Sequence, residues 1–164
     1  MLASKQKIAL SLLALLIGGS GALGVLACST IPESIGLQDD RLRPCPDSPN
    51  CVSSEDPASP AFVEPLRYSG SFEEAFDSLV ERLSVEPQVE LIEAEAGYIH
   101  AVFTSALMRF RDDVEFRFDA ESSVVHVRSA SRIGHSDLGA NRARIEALRS
   151  SWGAAKVSEN PPLQ

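Results

Sequence analysis

The stretch RDDVEFRFDAESSVVHVRSAS at residues 111–131 decides the fold that this sequence predicts. Apolar side chains alternate with charged ones along both of its halves, which is the period of β-strands with one face toward a core. If the halves form a hairpin with apolar residues opposite each other, Phe116 pairs with Val127. Glu115 then lies opposite Arg128, so the register predicts an ion pair across the two strands.

Two further strands are predicted before this hairpin. The four predicted strands cover residues 89–94, 97–104, 113–119 and 124–131. The connections between them are too short for crossover helices, which favours an antiparallel meander.

One helix is predicted before the meander in the sequence and one after it. Ser71 and Glu74 have the spacing of a capping box, and the amphipathic pattern that follows ends before Pro87. The second helix is predicted to begin near Ser136 or Asp137, both of which are good N-caps. Its buried side chains are expected to be Leu138, Ile145, Leu148 and Trp152.

These elements predict an α+β domain at residues 67–153, followed by a tail at residues 154–164. The expected order is α-β-β-β-β-α, a four-stranded antiparallel sheet with both helices packed on one face. The chain has 164 residues, of which 44% are apolar and 23% charged, and its net charge is −8. The length fits one globular domain, and the negative charge repels polyanions. We therefore expect no nucleic acid partner.

Residues 1–28 have the layout of an export signal. Lys5 and Lys7 precede an apolar run, and small residues separate that run from a second apolar patch. The residues Val-Leu-Ala-Cys at positions 25–28 resemble a bacterial lipobox, in which the cysteine is acylated and becomes the new N-terminus. The sequence thus predicts lipid attachment at Cys28.

An uncleaved membrane anchor and simple secretion are the alternatives to lipid attachment. Residues 8–27 contain about the 20 residues that a helix needs to cross a bilayer. All three alternatives place the domain in the cell envelope or outside it, facing the periplasm or the exterior. Ser29 stands where an aspartate is associated with inner-membrane retention, which favours the outer membrane in a diderm host.

If Cys28 carries a lipid, Cys45 and Cys51 remain as a pair in an oxidising compartment. The intervening Pro-Asp-Ser-Pro-Asn is rich in turn residues, so a small disulfide loop is geometrically reasonable. A metal or redox site and unpaired thiols are the alternatives. Residues 29–66 contain seven prolines and little periodicity, and they predict a tether and an irregular segment stapled by the disulfide.

Polar and charged side chains are most concentrated in the two hairpin strands and in the loop and helix that follow them. The candidate site residues are Asp113, Glu115, Arg128, Ser129, Ser131, Arg132, Asp137, Asn141 and Arg142. Three motifs, CPDSPNCVSS at 45–54, RDDVEF at 111–116 and RSASRIGHSDLGANRARIEALR at 128–149, closely resemble the domain of unknown function 1499 family. The resemblance covers about residues 36–152.

This resemblance implies an exported or membrane-associated α+β domain of a kind found in bacteria and in plastid-containing lineages. It implies no chemistry, because the family has no established catalytic residue to carry over. The sequence departs from the family pattern at His135, where an aromatic or other residue is common. That departure argues against His135 as an essential base.

Two non-catalytic interpretations of the polar residues are open. As a binding site, Arg128, Arg132 and Arg142 with nearby backbone amides would form a positive pocket for a carboxylate or phosphate. As a structural cluster, the carboxylates and arginines would neutralise one another and pin the second helix to the sheet. Asn141 is then either a clamp bonded to nearby backbone or a part of the site.

Catalysis and metal handling are the remaining alternatives. A hydrolase-like enzyme would use Asp113 or Glu115, but carboxylates among arginines are poor proton donors at neutral pH. His100, His126 and His135 lack the spacing of a metal site, and no cofactor is expected. We therefore expect a membrane-anchored envelope protein that binds a small anion or an envelope protein, or serves structurally.

Overall fold

The computed structural model describes residues 31–155. The predicted export signal, the predicted lipid attachment at Cys28 and residues 156–164 lie outside the described residues. Within residues 31–155, no helix combines the length and the apolar character needed to span a bilayer. The elements are β1 (Leu37–Gln38), β2 (Arg41–Leu42), β3 (Cys51–Ser53), β4 (Leu66–Arg67), α1 (Phe72–Ser84), β5 (Val89–Glu95), β6 (Tyr98–Thr104), β7 (Arg111–Asp119), β8 (Val124–Ser131) and α2 (Ala140–Ala155).

The predicted meander is present as β5 to β8, with each strand antiparallel to the next. The predicted register of the β7–β8 hairpin is confirmed, since Phe116 pairs with Val127 and Glu115 pairs with Arg128. The chain turns between β5 and β6 at Ala96 and Gly97, whose φ angles are 50° and 82°. Two successive left-handed residues give the tight turn whose twist matches a hairpin.

The sheet is larger than the four strands predicted. Its order is β3-β8-β7-β6-β5, with β4 also paired to β8, and β1 and β2 form a separate two-stranded ladder. The segment that was predicted to be irregular therefore supplies four short strands. Each has only two or three residues, too few for an alternating pattern to show in the sequence.

The predicted disulfide between Cys45 and Cys51 is confirmed, with a Cα–Cα distance of 5.7 Å. Cys51 is the first residue of β3 and pairs with Ala130 of β8. The disulfide therefore ties the loop before β3 to an added edge of the sheet.

Helix α1 begins as predicted, with Ser71 as its N-cap. The Ser71 hydroxyl accepts a hydrogen bond from the Glu74 amide, and the Glu74 carboxylate accepts one from the Ser71 amide. Helix α2 begins later than predicted, at Ala140. Leu138, which was predicted to be buried, is 97% exposed because it precedes the helix at a left-handed φ of 55°.

Both helices pack against one face of the sheet. The core contains Leu79 and Leu83 from α1, Ile145 and Trp152 from α2, and Phe116 from β7, all buried. The Trp152 indole also donates a hydrogen bond to Ser78 of α1, at 3.2 Å.

The other face of the sheet is covered by the segment that carries β1 and β2. The Gly36 amide donates a hydrogen bond to Glu115 of β7, and Leu42 is 3% exposed. Strand β2 packs against both β7 and β8. The domain therefore has three layers, namely the helices, the sheet and this covering segment.

Candidate functional site

The sheet face beneath the covering segment is lined by polar side chains. Residues alternate between the two faces of a strand, so the neighbours of core residues in β6, β7 and β8 all point toward this layer. We call these residues, together with Glu55, which follows β3, the charged face. Its members are Tyr98, His100, Asp113, Glu115, Arg117, His126, Arg128, Arg132 and Glu55. Glu115 is 0% exposed and Arg128 is 2% exposed, so the charges are removed from water.

The Asp113 carboxylate is hydrogen-bonded to the side chains of Arg132 and His100. The Arg132 guanidinium donates from Nε to Oδ2 and from Nη2 to Oδ1, both at 2.8 Å, and His100 Nε2 lies 2.8 Å from Oδ1. Burial acts to raise the pKa of Asp113, but the hydrogen bonds from His100 and Arg132 outweigh it and hold this pKa below its ordinary value. Asp113 is therefore a paired anion.

Glu115 accepts three hydrogen bonds of 2.8 Å. The donors are Nη1 of Arg128, the hydroxyl of Tyr98 and the backbone amide of Gly36. Burial and the neighbouring Glu115 charge raise the pKa of Tyr98, so its hydroxyl remains a neutral donor. The covering segment thus contributes directly to the solvation of this carboxylate.

Glu55 is the third carboxylate of the charged face, and the sequence did not indicate it. It accepts hydrogen bonds from Arg117 at 3.0 Å, from the Leu42 amide at 3.1 Å and from Arg41 at 2.9 Å. Burial acts to raise the pKa of Glu55, but the bonds from Arg117 and Leu42 lower it overall. Glu55 lies outside any periodic segment, so no local pattern places it opposite Arg117.

The three carboxylates are therefore occupied as acceptors within the domain. Asp113, Glu115 and Glu55 each accept three hydrogen bonds, and each has an arginine partner at 3.0 Å or less. A general acid or base needs a site that is open to substrate and a pKa near the working pH. Glu115 and Glu55 also join the sheet to the covering segment, through hydrogen bonds from Gly36, Arg41 and Leu42.

The structure does not bring all the predicted site residues together. Ser129 and Ser131 point to the helix face, because they alternate with Arg128 and Arg132 along the chain. Ser129 donates to the side chain of Asn141 at 2.6 Å.

Asn141 is fully buried and joins three segments of the chain. Its Nδ2 donates to the backbone carbonyl of Asn50 at 2.9 Å and to the hydroxyl of Ser131 at 3.1 Å. Arg144, one turn along α2, also donates to Asn141 and forms an ion pair with Asp112. The side-chain amide of Asn141 therefore joins α2 to β8 and to the segment before β3.

Asp137 and Arg142 lie apart from the charged face. The Asp137 carboxylate accepts hydrogen bonds from the amides of Gly139 and Asn141, at 3.0 and 2.7 Å. Burial acts to raise the pKa of Asp137, but these backbone bonds hold it below its ordinary value. Arg142 donates to the carbonyl of Phe62 and lines a different cavity from Arg128, so the predicted three-arginine pocket is not assembled.

A cavity of about 390 Å³ lies between the covering segment and the end of β8, with Pro32, Arg128 and Arg132 in its wall. Within the described residues, the buried Nε of Arg128 has no hydrogen-bond partner. The same part of the chain contains no group of three or more side chains placed to bind a metal ion.

The comparisons with known proteins agree with the motifs in the sequence. A family model described as Protein of unknown function (DUF1499) matches residues 41–151. The chain belongs to this family. The DUF1499 match takes in the disulfide, the whole meander and most of α2, which confirms the resemblance. No curated protein and no solved structure matches the chain.

Arg128→Met is expected to lower the free energy of unfolding by about 3–5 kcal/mol, because Glu115 would remain buried without its charged partner. Urea unfolding followed by circular dichroism measures this loss. The double variant Arg128→Met/Glu115→Leu removes both charges and is expected to be more stable than Arg128→Met. A double variant that is less stable than the single one would contradict the proposed pairing, and the exposed Arg142→Met is the control.

The pH dependence of stability is expected to include a contribution from His126. Burial lowers the pKa of His126 in the folded state, and Arg117 acts in the same direction against Glu55 and Asp119. The unfolded chain binds this proton at higher pH, near the ordinary value of about 6.5. The stability is therefore full above about pH 6.5 and declines as the pH falls toward the lower folded-state pKa.

His126→Gln is expected to flatten this decline between about pH 7 and pH 5, where the parent loses stability. Urea midpoints of the two proteins across that range measure the effect. Identical slopes in both proteins would contradict it.

Proposed function

We propose that this DUF1499 protein is a lipid-anchored envelope domain that acts without catalysis, by presenting a rigid surface at a membrane. The observation that carries the proposal is the saturation of Asp113, Glu115 and Glu55 by donors within the domain. These are the carboxylates that a hydrolase on this face would need. Because all three carboxylates are paired and buried, we infer that the charged face stabilises the fold and does not take part in a reaction.

The proposed location rests on the N-terminal sequence and is supported by the disulfide. The Val-Leu-Ala-Cys motif ends at Cys28, and the Cys45–Cys51 bond is of a kind that persists in oxidising compartments. In a diderm host, Ser29 after the cysteine favours the outer membrane. The domain would then face the periplasm or the exterior.

The protein produced with its own N-terminal segment is expected to begin at Cys28 and to carry acyl chains there. Intact-mass spectrometry of protein extracted from the membrane fraction measures both features. Cys28→Ser is expected to leave the segment uncleaved and unacylated. A soluble secreted chain, or turnover of ester or phosphoester substrates that Asp113→Asn abolishes in a folded protein, would contradict the proposal.

Binding of a small anion is a second candidate function. It is favoured by a cavity of about 390 Å³ with Arg128 and Arg132 in its wall, and by the buried Nε of Arg128, which has no hydrogen-bond partner among residues 31–155. An anion in this cavity would lie beside Arg128 and Arg132, and charge-assisted hydrogen bonds from guanidinium groups suit carboxylates and phosphates.

In a thermal-shift series with inorganic phosphate and small carboxylates, a bound anion is expected to raise the melting temperature. At 100 times the dissociation constant the gain is about 2.7 kcal/mol. Arg128→Lys is expected to lose this response, because an ammonium group lacks the planar set of donors of a guanidinium. Arg142→Lys should retain it, because Arg142 lines a different cavity. If no anion raises the melting temperature of the parent protein, this second function is excluded.

A further inference from the structure

Large apolar side chains are exposed together at one end of the sheet. We call them the apolar rim, and they are Leu107, Met108, Phe110, Ile133 and Leu138. Leu138 is 97% exposed and Leu107 is 89% exposed. Apolar side chains scattered singly on a surface are ordinary, but a contiguous group marks a surface that another body covers.

Three members of the rim share one apolar hollow. Phe110, Ile133 and Leu138 line a cavity of about 320 Å³ between the loop after β6 and the loop before α2. Leu107 and Met108 lie at the tip of the first of these loops. The rim is therefore one surface built from two loops.

Both loops are held in place by hydrogen bonds. The Ser105 and Phe110 backbones are joined by a 2.8 Å bond from the Ser105 amide to the Phe110 carbonyl, and the Ser105 hydroxyl accepts from the Phe110 amide. On the second loop, the Leu138 amide donates to the Ser136 hydroxyl, and Leu138 has a left-handed φ of 55°. A leucine in this conformation is strained, so the fold holds an exposed apolar side chain where a glycine or asparagine would be more stable.

The described domain begins at the same end of the sheet. Pro32 shares the cavity of about 390 Å³ with Ser131 and Arg132, and Ser131 also lines the hollow of the apolar rim. Ile133 follows directly in the chain. The covering segment therefore starts next to the rim, on the opposite face of the sheet.

The distance from the proposed lipid to this point is short. Only residues 29–31 separate Cys28 from Pro32. A fully extended chain rises by 3.3–3.6 Å per residue, so the four steps from Cys28 to Pro32 span at most about 14 Å. A lipid on Cys28 would keep this end of the domain within that distance of the bilayer.

Basic side chains accompany the apolar rim. Arg109, at the tip of the first loop, is exposed, and no carboxylate among residues 31–155 lies within ion-pair distance of it. Arg111 follows at the start of β7 and pairs with Glu90. Apolar side chains next to arginine are the combination that inserts into the boundary between lipid headgroups and acyl chains. Two carboxylates also line the hollow of the rim, and both have partners within the domain: Asp112 pairs with Arg144, and Asp137 accepts hydrogen bonds from backbone amides.

We propose that the apolar rim docks on the bilayer that holds the lipid of Cys28. Leu107, Met108 and Leu138 enter the headgroup region, and Arg109 binds lipid phosphates. The proposal rests on the lipid anchor of the proposed function and adds an orientation to it, with the rim against the membrane and the β7–β8 turn pointing away. An interfacial side chain reaches about 5–10 Å below the membrane surface, a depth that the short tether permits.

The test uses the full chain, recovered from membranes and placed in vesicles of phosphatidylethanolamine and phosphatidylglycerol. Leu107→Cys and, separately, Ser122→Cys are labelled with an environment-sensitive fluorophore, while the native disulfide stays oxidised. A nitroxide-bearing phospholipid is the quencher. Ser122 is exposed in the β7–β8 turn, at the other end of the strands, and is the matched control. Quenching is expected at position 107 and not at position 122.

Leu138→Asn and Met108→Ser, introduced with the label at position 107, are each expected to shift the docking equilibrium on the order of tenfold toward the undocked state. Asparagine tolerates the left-handed conformation, so Leu138→Asn should melt at or above the temperature of the parent protein. This separates loss of docking from loss of the fold. Ile92→Asn, an exposed apolar position outside the rim, should leave the quenching unchanged.

The outcomes distinguish this inference from the function on which it rests. If mass spectrometry finds acyl chains on Cys28 and positions 107 and 122 are equally unquenched, the docking is wrong and the anchor stands. If Cys28 is unmodified, the proposed anchor and the docking both fail. If the label at position 107 is shielded only as protein concentration rises, without quenching by lipid, the rim is an interface between copies of this chain and the membrane proposal is overturned.

Discussion

The burial of three carboxylates against arginines is the constraint on which the rest of the structure depends. A charge removed from water costs several kcal/mol unless partners replace the lost hydration. Asp113 and Glu115 are 1% and 0% exposed, and the side chain of Glu55 is 7% exposed. The sheet supplies all the partners of Asp113, whereas Glu115 and Glu55 also accept backbone hydrogen bonds from Gly36 and Leu42 of the covering segment. Two of the three carboxylates therefore need both layers.

The three family motifs meet in space although they are far apart in the chain. Asn50 of the first motif accepts from Asn141 of the third, and its own amide group donates to the carbonyl of Gly134 at 2.7 Å. Asp113 of the second motif is bound by Arg132 of the third. The motifs form one network of bonds that assembles the β3 edge, the meander and α2. Within this network, the carboxylates of Asp113 and Glu115 are each paired with an arginine of the third motif.

The two faces of the sheet contribute differently to the stability of the domain. The helix face supplies the apolar burial that drives folding, and the charged face supplies specific geometry, because each guanidinium fits one carboxylate. The exposed apolar rim and the start of the described domain both lie at the end of the sheet where β8 finishes.

The amino-acid sequence determined the elements that are long enough to show a period. The meander, the pairing of Glu115 with Arg128, the capping box at Ser71 and the family were all predictable, because they follow from local alternation, helical spacing or motif strings. The sequence also predicted both helices on one face of the sheet, whereas tertiary structure decided what covers the other face. Strands of two or three residues carry no period, and the partners of Glu55 and the exposure of Leu138 depend on segments distant in sequence. Local patterns specify which residues share a face, but only the folded chain specifies what covers it.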